Sequence, residues 1–255
     1  MGIETISSMQ WAVLALCALL TGISKTGVPG MGILCVPLMA LTFPAKMSTG
    51  LLLPMLAFAD IAAVFYYRRH GNWKLVLRLI PWALAGIVAA SLIMPFVSDT
   101  LLQPGIGFIV LTMLALNFWR TRSSNAFFEK LPHHWAFSAA MGFFAGLTTQ
   151  LANAAGPVMA IYLLSMKLPK NEFIGTGAWY FLILNWLKLP LFMVDGRISS
   201  STLSCDFMLI PIILAGAVAG IFLLNKIPQK SFEKVVQFLA AVGALKLASS
   251  VYKLL

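Results

Sequence analysis

The sequence predicts an all-α polytopic membrane protein built from two inverted repeats, each a broken or re-entrant helical hairpin followed by three transmembrane helices. Three observations carry this prediction: an apolar composition, an internal repeat, and a pattern of basic loops that reverses between the halves. Of the 255 residues, 60% are hydrophobic and only 10% are charged, and the mean hydropathy is +0.90. Such a composition does not describe the surface of a soluble protein.

The predicted helices are the apolar runs of the chain. These fall at about 9–24, 27–43, 49–67, 75–95, 102–119, 135–149, 153–166, 173–194, 206–224 and 234–254. A helix needs roughly 20 apolar residues to cross a bilayer. The first two runs, and the pair at 135–149 and 153–166, are therefore too short to span upright, and glycine or polar residues interrupt them. We expect each pair to form a broken hairpin.

An internal repeat divides the chain in two. The segment Pro44-Ala-Lys-Met-Ser-Thr-Gly50 matches Pro169-Lys-Asn-Glu-Phe-Ile-Gly175 at an offset of 125, which also pairs Asp60 with Asn185. Farther along, an offset of 130 aligns Leu79-Ile80-Pro81 with Leu209-Ile210-Pro211, and Leu84-Ala85-Gly86 with Leu214-Ala215-Gly216. Because prolines and glycines align as well as apolar residues, the two halves are predicted to be duplicated.

The basic loops predict that the two halves are inverted. Lys and Arg gather in cytoplasmic loops of membrane proteins. The loop at 68–78 carries four basic residues, whereas its counterpart at 195–205 carries only Arg197. The loop at 96–103 carries none, whereas its counterpart at 225–234 carries three. Equivalent loops therefore face opposite sides of the membrane.

The predicted organisation is a first membrane repeat at 1–120, a cytoplasmic connecting loop at 121–134 and a second membrane repeat at 135–255. Inversion requires an odd number of crossings per half, which follows if each hairpin returns to the side it entered and three full helices come after it. Both termini then face the periplasm. No Lys or Arg precedes the first apolar run, so we expect no cleaved signal peptide.

The first break contains the strongest candidate binding motif, Gly22-Ile-Ser-Lys-Thr-Gly-Val-Pro-Gly-Met-Gly32. Glycine at this density frees backbone amides and lets a ligand approach closely, and a helix that starts after the break directs its N-terminal dipole at an anion. Lys25 adds a full positive charge. The candidate substrate-binding residues here are Ser24, Lys25, Thr26, Gly27, Gly30 and Gly32. The alternative is that the glycines permit close helix packing and that Lys25 snorkels to an interface.

The second break, Gly146-Leu-Thr-Thr-Gln-Leu-Ala-Asn-Ala-Ala-Gly-Pro157, replaces the lysine with uncharged donors. Hydroxyl and amide groups hydrogen-bond an oxyanion without carrying charge. The candidate substrate-binding residues here are Thr149, Gln150, Asn153 and Gly156. Two facing breaks of this kind would form an anion cradle, although hydroxyl groups also satisfy the ends of broken helices.

Three further residues are predicted to act in coupling or along the pathway: Asp60, Asn185 and Lys188. Asp60 is the only carboxylate well inside an apolar run, and an intramembrane carboxylate is costly enough to be a functional candidate by default. We expect it to pair with Lys25 or Lys188, or to take up a proton as a coupling group; a structural Asp60 that bridges helices is the alternative. Lys188 is either a second charge that attracts the anion or a snorkelling anchor.

The remaining residues predict no catalytic site, no metal and no cofactor. Cys17, Cys35 and Cys205 lack the short paired spacing of a metal or disulfide framework, and His133 and His134 have no acidic or cysteine ligand nearby. The net charge of +10 resides in loops, where it sets membrane orientation, so no nucleic-acid partner is predicted. The expected partners are a small anionic substrate and the lipid bilayer, and the oligomeric state is left open.

The motifs around both breaks resemble the sulfite exporter TauE/SafE family of membrane permeases. The similarity rests on the glycine-rich first break continued through Ile-Leu-Cys-Val-Pro37-Leu, on Gly156-Pro-Val-Met-Ala-Ile-Tyr-Leu-Leu164, on Leu168-Pro-Lys170, and on Asn185-Trp-Leu-Lys-Leu-Pro190. The resemblance implies a secondary transporter that exports small sulfur-containing anions, such as sulfite or organosulfonates, across a bacterial inner membrane.

Two features keep other functions open. Thr26 and Pro29 stand where many relatives of the family place glycine, a departure that bears on the shape of the pocket and the identity of the anion. An anion or small-solute channel could use the same breaks as a filter, and a carrier of a different small organic anion would have the same architecture.

Overall fold

The protein is helical throughout the part of the chain that the structure describes. The structure is a computed structural model, and it describes residues 6–27, 30–123, 134–226 and 229–253, in which there is no β-strand. The α-helices of these ranges are α1 (Ser8–Thr26), α2 (Cys35–Thr42), α3 (Ala45–Tyr67), α4 (Trp73–Ile93), α5 (Asp99–Arg122), α6 (Trp135–Ala152), α7 (Gly156–Ser165), α8 (Lys170–Val194), α9 (Ser200–Lys226) and α10 (Gln229–Ala248). The prediction of an all-α protein is confirmed. Most of the connecting loop predicted at 121–134 lies outside the described residues.

Six helices of the described ranges are long and apolar enough to cross a membrane: α1, α3, α4, α5, α8 and α9. The expectation that the first apolar run is too short to span is wrong. That helix has 19 residues and is about 28 Å long at 1.5 Å per residue, because it continues through Gly22 and Lys25 to Thr26. The helices that follow the two breaks, α2 and α7, are short, at 8 and 10 residues.

Both helix interruptions fall where the sequence predicted them. The first helix ends at Thr26, and the chain resumes through Gly30, with φ 103°, into a 3₁₀ turn before α2. In the second half α6 ends at Ala152, and Asn153 adopts the left-handed conformation with φ 53°. Glycine and asparagine are the residues that tolerate positive φ best.

Close helix packing explains several glycines of the motifs. A side chain at Gly22 would collide with the carbonyl oxygen of Ile213, and one at Gly27 with that of Gly220. These contacts pack α1 along α9. In the same way, Gly146 lets α6 pack along α4, where a side chain would meet the carbonyl of Ala83. Small residues at such contacts let membrane helices approach closely.

The start of α9 differs from the sequence prediction. The loop at 195–205 was expected to precede this helix, but α9 begins at Ser200 because Ser199 caps its first turn by accepting from the Thr202 amide. Asp206 is therefore a fully buried residue of a helix. Neither of its carboxylate oxygens has a hydrogen-bond partner among the described residues.

Candidate functional site

A buried ion pair joins α1 to α3. The ammonium of Lys25 lies 2.7 Å from Oδ1 of Asp60, and Nδ2 of Asn185, on α8, donates to Oδ2 of Asp60 at 2.6 Å. Asp60 is fully buried, whereas 14% of the Lys25 side chain is exposed. The structure thus places Asp60 against Lys25 rather than Lys188, and each carboxylate oxygen has a partner.

An aromatic ring covers the lysine of this pair. The Lys25 ammonium lies 4.2 Å from the ring centroid of Phe181, a distance at which a cation is attracted to the face of the ring. Phe181 precedes Asn185 by four residues on α8, so both side chains lie on one face of that helix. Phe181 thus contacts Lys25 directly, whereas Asn185 holds the Asp60 carboxylate that pairs with it.

The two helix breaks line one cavity of about 140 Å³. Ser24, Lys25, Gly30 and Gly32 line it from the first break. Thr149, Asn153 and Gly156 line it from the second, and Asn185 lines it from α8. A cavity of this volume accommodates a ligand of about the size of benzene. The predicted facing of the two breaks is therefore seen in the structure.

Five of the predicted residues do not line this cavity: Thr26, Gly27, Gln150, Asp60 and Lys188. Thr26 donates to the carbonyl of Ala217 at 2.6 Å, and Gly27 packs against Gly220. Gln150 donates to Ser91 at 2.8 Å. All three residues contact neighbouring helices. Their role in substrate binding stays a prediction. Asp60 and Lys188 reach the cavity only through residues that they bind.

The N-terminus of α7 lies in the cavity wall. This helix begins at Gly156, and no side chain caps its first turn. The first N–H groups of a helix lack intrahelical partners and carry the positive end of the helix dipole. On the other side, the amide of Gly32 is already occupied, because it donates to the Ser24 hydroxyl at 3.0 Å. Pro157 has no N–H, and the amide of Met159 donates to the carbonyl of Ala155 at 3.0 Å. The Gly156 amide is thus the backbone donor of the α7 N-terminus that faces the cavity.

Sequence reasoning missed two polar residues of the cavity, Asn117 and Arg120 on α5. The charge of Arg120 was counted only with the basic residues that the sequence places in loops. The available signal was their spacing of three residues near the end of an apolar helix, which places both on one face. Most of the remaining lining is aliphatic or aromatic, including Leu52, Met159 and Phe173.

The family model described as Sulfite exporter TauE/SafE matches residues 14–247. The chain belongs to this family. Comparisons with curated proteins and with solved structures gave no match. Membership in TauE/SafE, a family of transporters of sulfite-like anions, together with the apolar helices, identifies a multi-pass membrane permease.

A second buried cation of this TauE/SafE permease lies behind the cavity wall. Lys188 is fully buried, and its ammonium donates to the carbonyl oxygen of Thr149 at 3.0 Å, to its hydroxyl at 2.8 Å, and to Oδ1 of Asn153 at 2.7 Å. The amide nitrogen of Asn153 donates in turn to the carbonyl of Thr49 at 3.0 Å. Thr149 and Asn153 thus separate Lys188 from the cavity.

Arg197 is a third cation, which the sequence had placed simply as the single base of an outward loop. Only 2% of it is exposed, and its guanidinium donates to the carbonyl of Gln150 at 2.9 Å and to Asp195 at 2.6 Å. It also stacks on Phe192, with 3.4 Å from Cζ to the ring centroid. Burial lowers the pKa of Arg197, and the Asp195 carboxylate opposes that effect.

The charged and polar groups around the cavity favour an anion. Within the described residues, no group of three His, Cys, Asp or Glu side chains could hold a metal ion. The cavity instead combines two cationic side chains, Lys25 and Arg120, with amide groups and an uncapped helix N-terminus. All of these groups interact favourably with negative charge.

Proposed function

We propose that the protein is a secondary transporter that exports small sulfur-containing anions, such as sulfite or organosulfonates, and holds the anion between its two helix breaks near the membrane midplane. One observation carries the proposal. Both breaks line a single cavity that also contains Lys25 and the uncapped N-terminus of α7. Interrupted helices that meet in this way form the substrate sites of many secondary transporters.

Each group of the cavity has a distinct part in the proposed binding. Lys25 and Arg120 supply positive charge, and the Gly156 amide at the N-terminus of α7 donates to an oxygen of the anion. Asn153 and Asn185 orient those oxygens through their amide groups. An ammonium has three N–H donors, so Lys25 has donors beyond the one directed at Asp60.

Asp60 and Asn185 are proposed to couple anion binding to the state of Lys25. The carboxylate of Asp60 and a bound anion compete for the same ammonium. Asn185 holds Asp60 in place from the opposite side at 2.6 Å. When the anion leaves, Lys25 and Asp60 form their full ion pair again. The empty site then contains no unpaired buried charge, which would be costly.

The architecture proposed for this transport is a pair of inverted repeats, at 1–120 and 135–255, in a bacterial inner membrane with both termini in the periplasm. Reciprocal packing supports it: α1 packs on α9, and their counterparts α6 and α4 pack on each other. The counterpart helices α3 and α8 also pack together, as do α5 and α10. Such a two-fold relation allows the halves to alternate access to a central site.

The membrane potential supports export. Moving one elementary charge through the membrane is worth about 2.3 kcal/mol per 100 mV. With the inside negative, the potential drives a dianion such as sulfite outward, and the sequence contains no phosphate-loop motif for nucleotide hydrolysis.

Transport by the purified protein in liposomes tests the proposal. We expect saturable sulfite flux that is accelerated by sulfite on the opposite side of the membrane, and thermal stabilisation by the transported anions in a panel of sulfite, sulfate, thiosulfate, sulfoacetate and simple carboxylates. Lys25→Ala should lose the flux, whereas Lys74→Ala, at an exposed lysine of α4, should retain it. Flux that does not saturate and shows no acceleration would indicate a channel. No flux and no stabilisation with any anion of the panel would refute the proposal.

A further inference from the structure

We propose that Lys188 forms a second anion station, to which the anion passes from the cavity by displacing the amide oxygen of Asn153. This inference rests on the transport function proposed above. In this proposal Lys188 binds the oxyanion while it crosses the protein. The oxyanion takes the place of one of the hydrogen-bond acceptors that Lys188 has in the structure.

The hydrogen bonds of Lys188 indicate a charged ammonium. Its three acceptors, two on Thr149 and one on Asn153, lie 2.7–3.0 Å from Nζ and match the three N–H donors of an ammonium. Within the described ranges, no carboxylate oxygen lies at ion-pair distance from it. A buried charge with only neutral ligands is costly, and an intramembrane charge of this kind is a functional candidate.

Helix capping does not account for this lysine. The carbonyls of Thr149 and Gln150, at the end of α6, accept from Lys188 and Arg197, so the two cations do cap the helix. The C-terminal dipole is equivalent to about half a negative charge, and Asp195 is paired with Arg197 alone. The positive charge of Lys188 therefore exceeds what the helix end balances.

The first half of the chain shows that an uncharged group can fill the same structural role. At the end of α1, the hydroxyl of Tyr67 donates to the carbonyl of Thr26 at 2.9 Å. Both α1 and α6 end at a break that lines the cavity, but among the residues that the structure describes cations cap only the second. Capping alone gives no reason for a lysine at position 188.

A single layer of side chains separates the cavity from Lys188. Thr149 and Asn153 line the cavity and also bind the ammonium. An oxygen of the anion that replaces Oδ1 of Asn153 preserves the number of acceptors on Lys188 and adds the missing negative charge. The displaced amide stays anchored through its donor bond to the Thr49 carbonyl.

Beyond Lys188 a second cation continues the path. The ring of Phe192 lies 5.5 Å from Nζ of Lys188 and 3.4 Å from Cζ of Arg197. Arg197 belongs to the loop after α8, which faces outward in the proposed topology. An anion at Lys188 is thus on the outward side of the cavity, next to a further positive charge.

The test uses the full-length protein in liposomes with sulfite as the probe. The equilibrium Kd and the rate of sulfite–sulfite exchange are measured, the rate at concentrations well above the Kd of each variant. Lys188→Gln removes the charge and Lys188→Arg keeps it. Lys170→Gln, at the exposed first residue of the same helix, is the matched control.

We expect all four proteins to bind sulfite with similar Kd, because the cavity is unchanged. Exchange by Lys188→Gln should fall about tenfold or more, the signature of an interaction that acts only during passage, while Lys188→Arg and the control exchange at rates near that of the wild type. Wild-type exchange by Lys188→Gln would overturn the proposal. A higher Kd for sulfite with an unchanged exchange rate at saturating sulfite would also overturn it, since Lys188 would then contribute to binding in the cavity itself.

Asn153→Asp provides the test if Lys188→Gln does not fold. The new carboxylate pairs with the Lys188 ammonium, so the buried pair has no net charge. Asp also tolerates the left-handed backbone conformation of position 153. We expect saturated exchange to fall because the station is permanently occupied, and wild-type exchange would overturn the proposal. A wild-type protein that neither binds nor exchanges any anion would refute the transport function too, whereas a result confined to Lys188 and Asn153 leaves that function standing.

Discussion

Asn185 donates a hydrogen bond of 2.6 Å to Oδ2 of Asp60, although the two residues are 125 positions apart in the chain. The same offset of 125 relates the two halves of the sequence, so these are equivalent positions of the proposed repeats. Equivalent residues can touch only where they lie next to a two-fold axis. In the proposed inverted architecture the axis therefore passes between α3 and α8, beside the cavity. The pair itself is asymmetric, because one carboxylate faces one amide.

This asymmetry predicts the effect of making the pair symmetric. Asn185→Asp places two carboxylates against each other with one lysine, Lys25, to neutralise them. We expect a lower unfolding temperature at neutral pH, because like charges this close cannot both remain ionised without cost. The exchanged pair Asp60→Asn with Asn185→Asp should recover much of the loss. Thermal unfolding followed by tryptophan fluorescence measures both variants, and equal stability of Asn185→Asp and the wild type would contradict the relationship.

The ion pair of Lys25 with Asp60 predicts a stability defect that a second substitution repairs. Lys25→Met leaves a fully buried carboxylate without its counter-ion, which typically costs about 3–5 kcal/mol. The double variant Lys25→Met with Asp60→Leu should regain stability and still transport no sulfite. Unfolding in denaturant and flux in liposomes separate the two effects. Sulfite flux in the double variant would show that Lys25 does not bind the anion.

Glycine packing predicts different outcomes for two glycines. Gly146→Val forces a side chain against the backbone of Ala83, and overpacking of this kind costs about 1–3 kcal/mol or more. Gly105→Val on α5 has no atom within 4 Å of its new Cβ, so little change is expected. Thermal unfolding of the two variants is the measurement; equal losses would mean that α4 and α6 do not pack as described.

The proposed inversion predicts which loops a reagent reaches from outside. His70 and Ser200 are exposed residues of equivalent loops, so opposite orientation places them on opposite sides of the membrane. In a variant lacking Cys17, Cys35 and Cys205, a membrane-impermeant maleimide applied to intact cells should label Ser200→Cys. His70→Cys should react only after the membrane is permeabilised. Labelling of both positions from one side would exclude inverted halves.

The helices were predictable because their signal is local. Apolar runs and glycine-rich breaks are properties of neighbouring residues, and the structure confirms both the helical class and the two interruptions. The length of α1 was not predictable in the same way. Whether a helix continues through Gly22 and Lys25 depends on the groove of α9 and on the carboxylate of Asp60, both of which are distant in sequence.

The site was predictable in part for the same reason. Lys25, Asn153 and Gly156 stand out because charge, amide and glycine are rare in apolar sequence, and all three line the cavity. Thr26 and Gly27 belong to the same motif but face α9, since successive residues of a helix point in different directions. Arg120 and Arg197 looked like loop charges until the fold placed them beside the cavity and against Phe192.

The sequence by itself indicated the membrane environment of this protein, the repeated motifs in its two halves, its resemblance to TauE/SafE and the rarity of Asp60, because composition and repetition are one-dimensional properties. The tertiary structure alone decided which cation pairs with Asp60 and which motif residues meet at the cavity. It also placed Lys188 behind Asn153, with no carboxylate at ion-pair distance within the described ranges. Those outcomes depend on how helices more than a hundred residues apart pack together, and local spacing does not encode that packing.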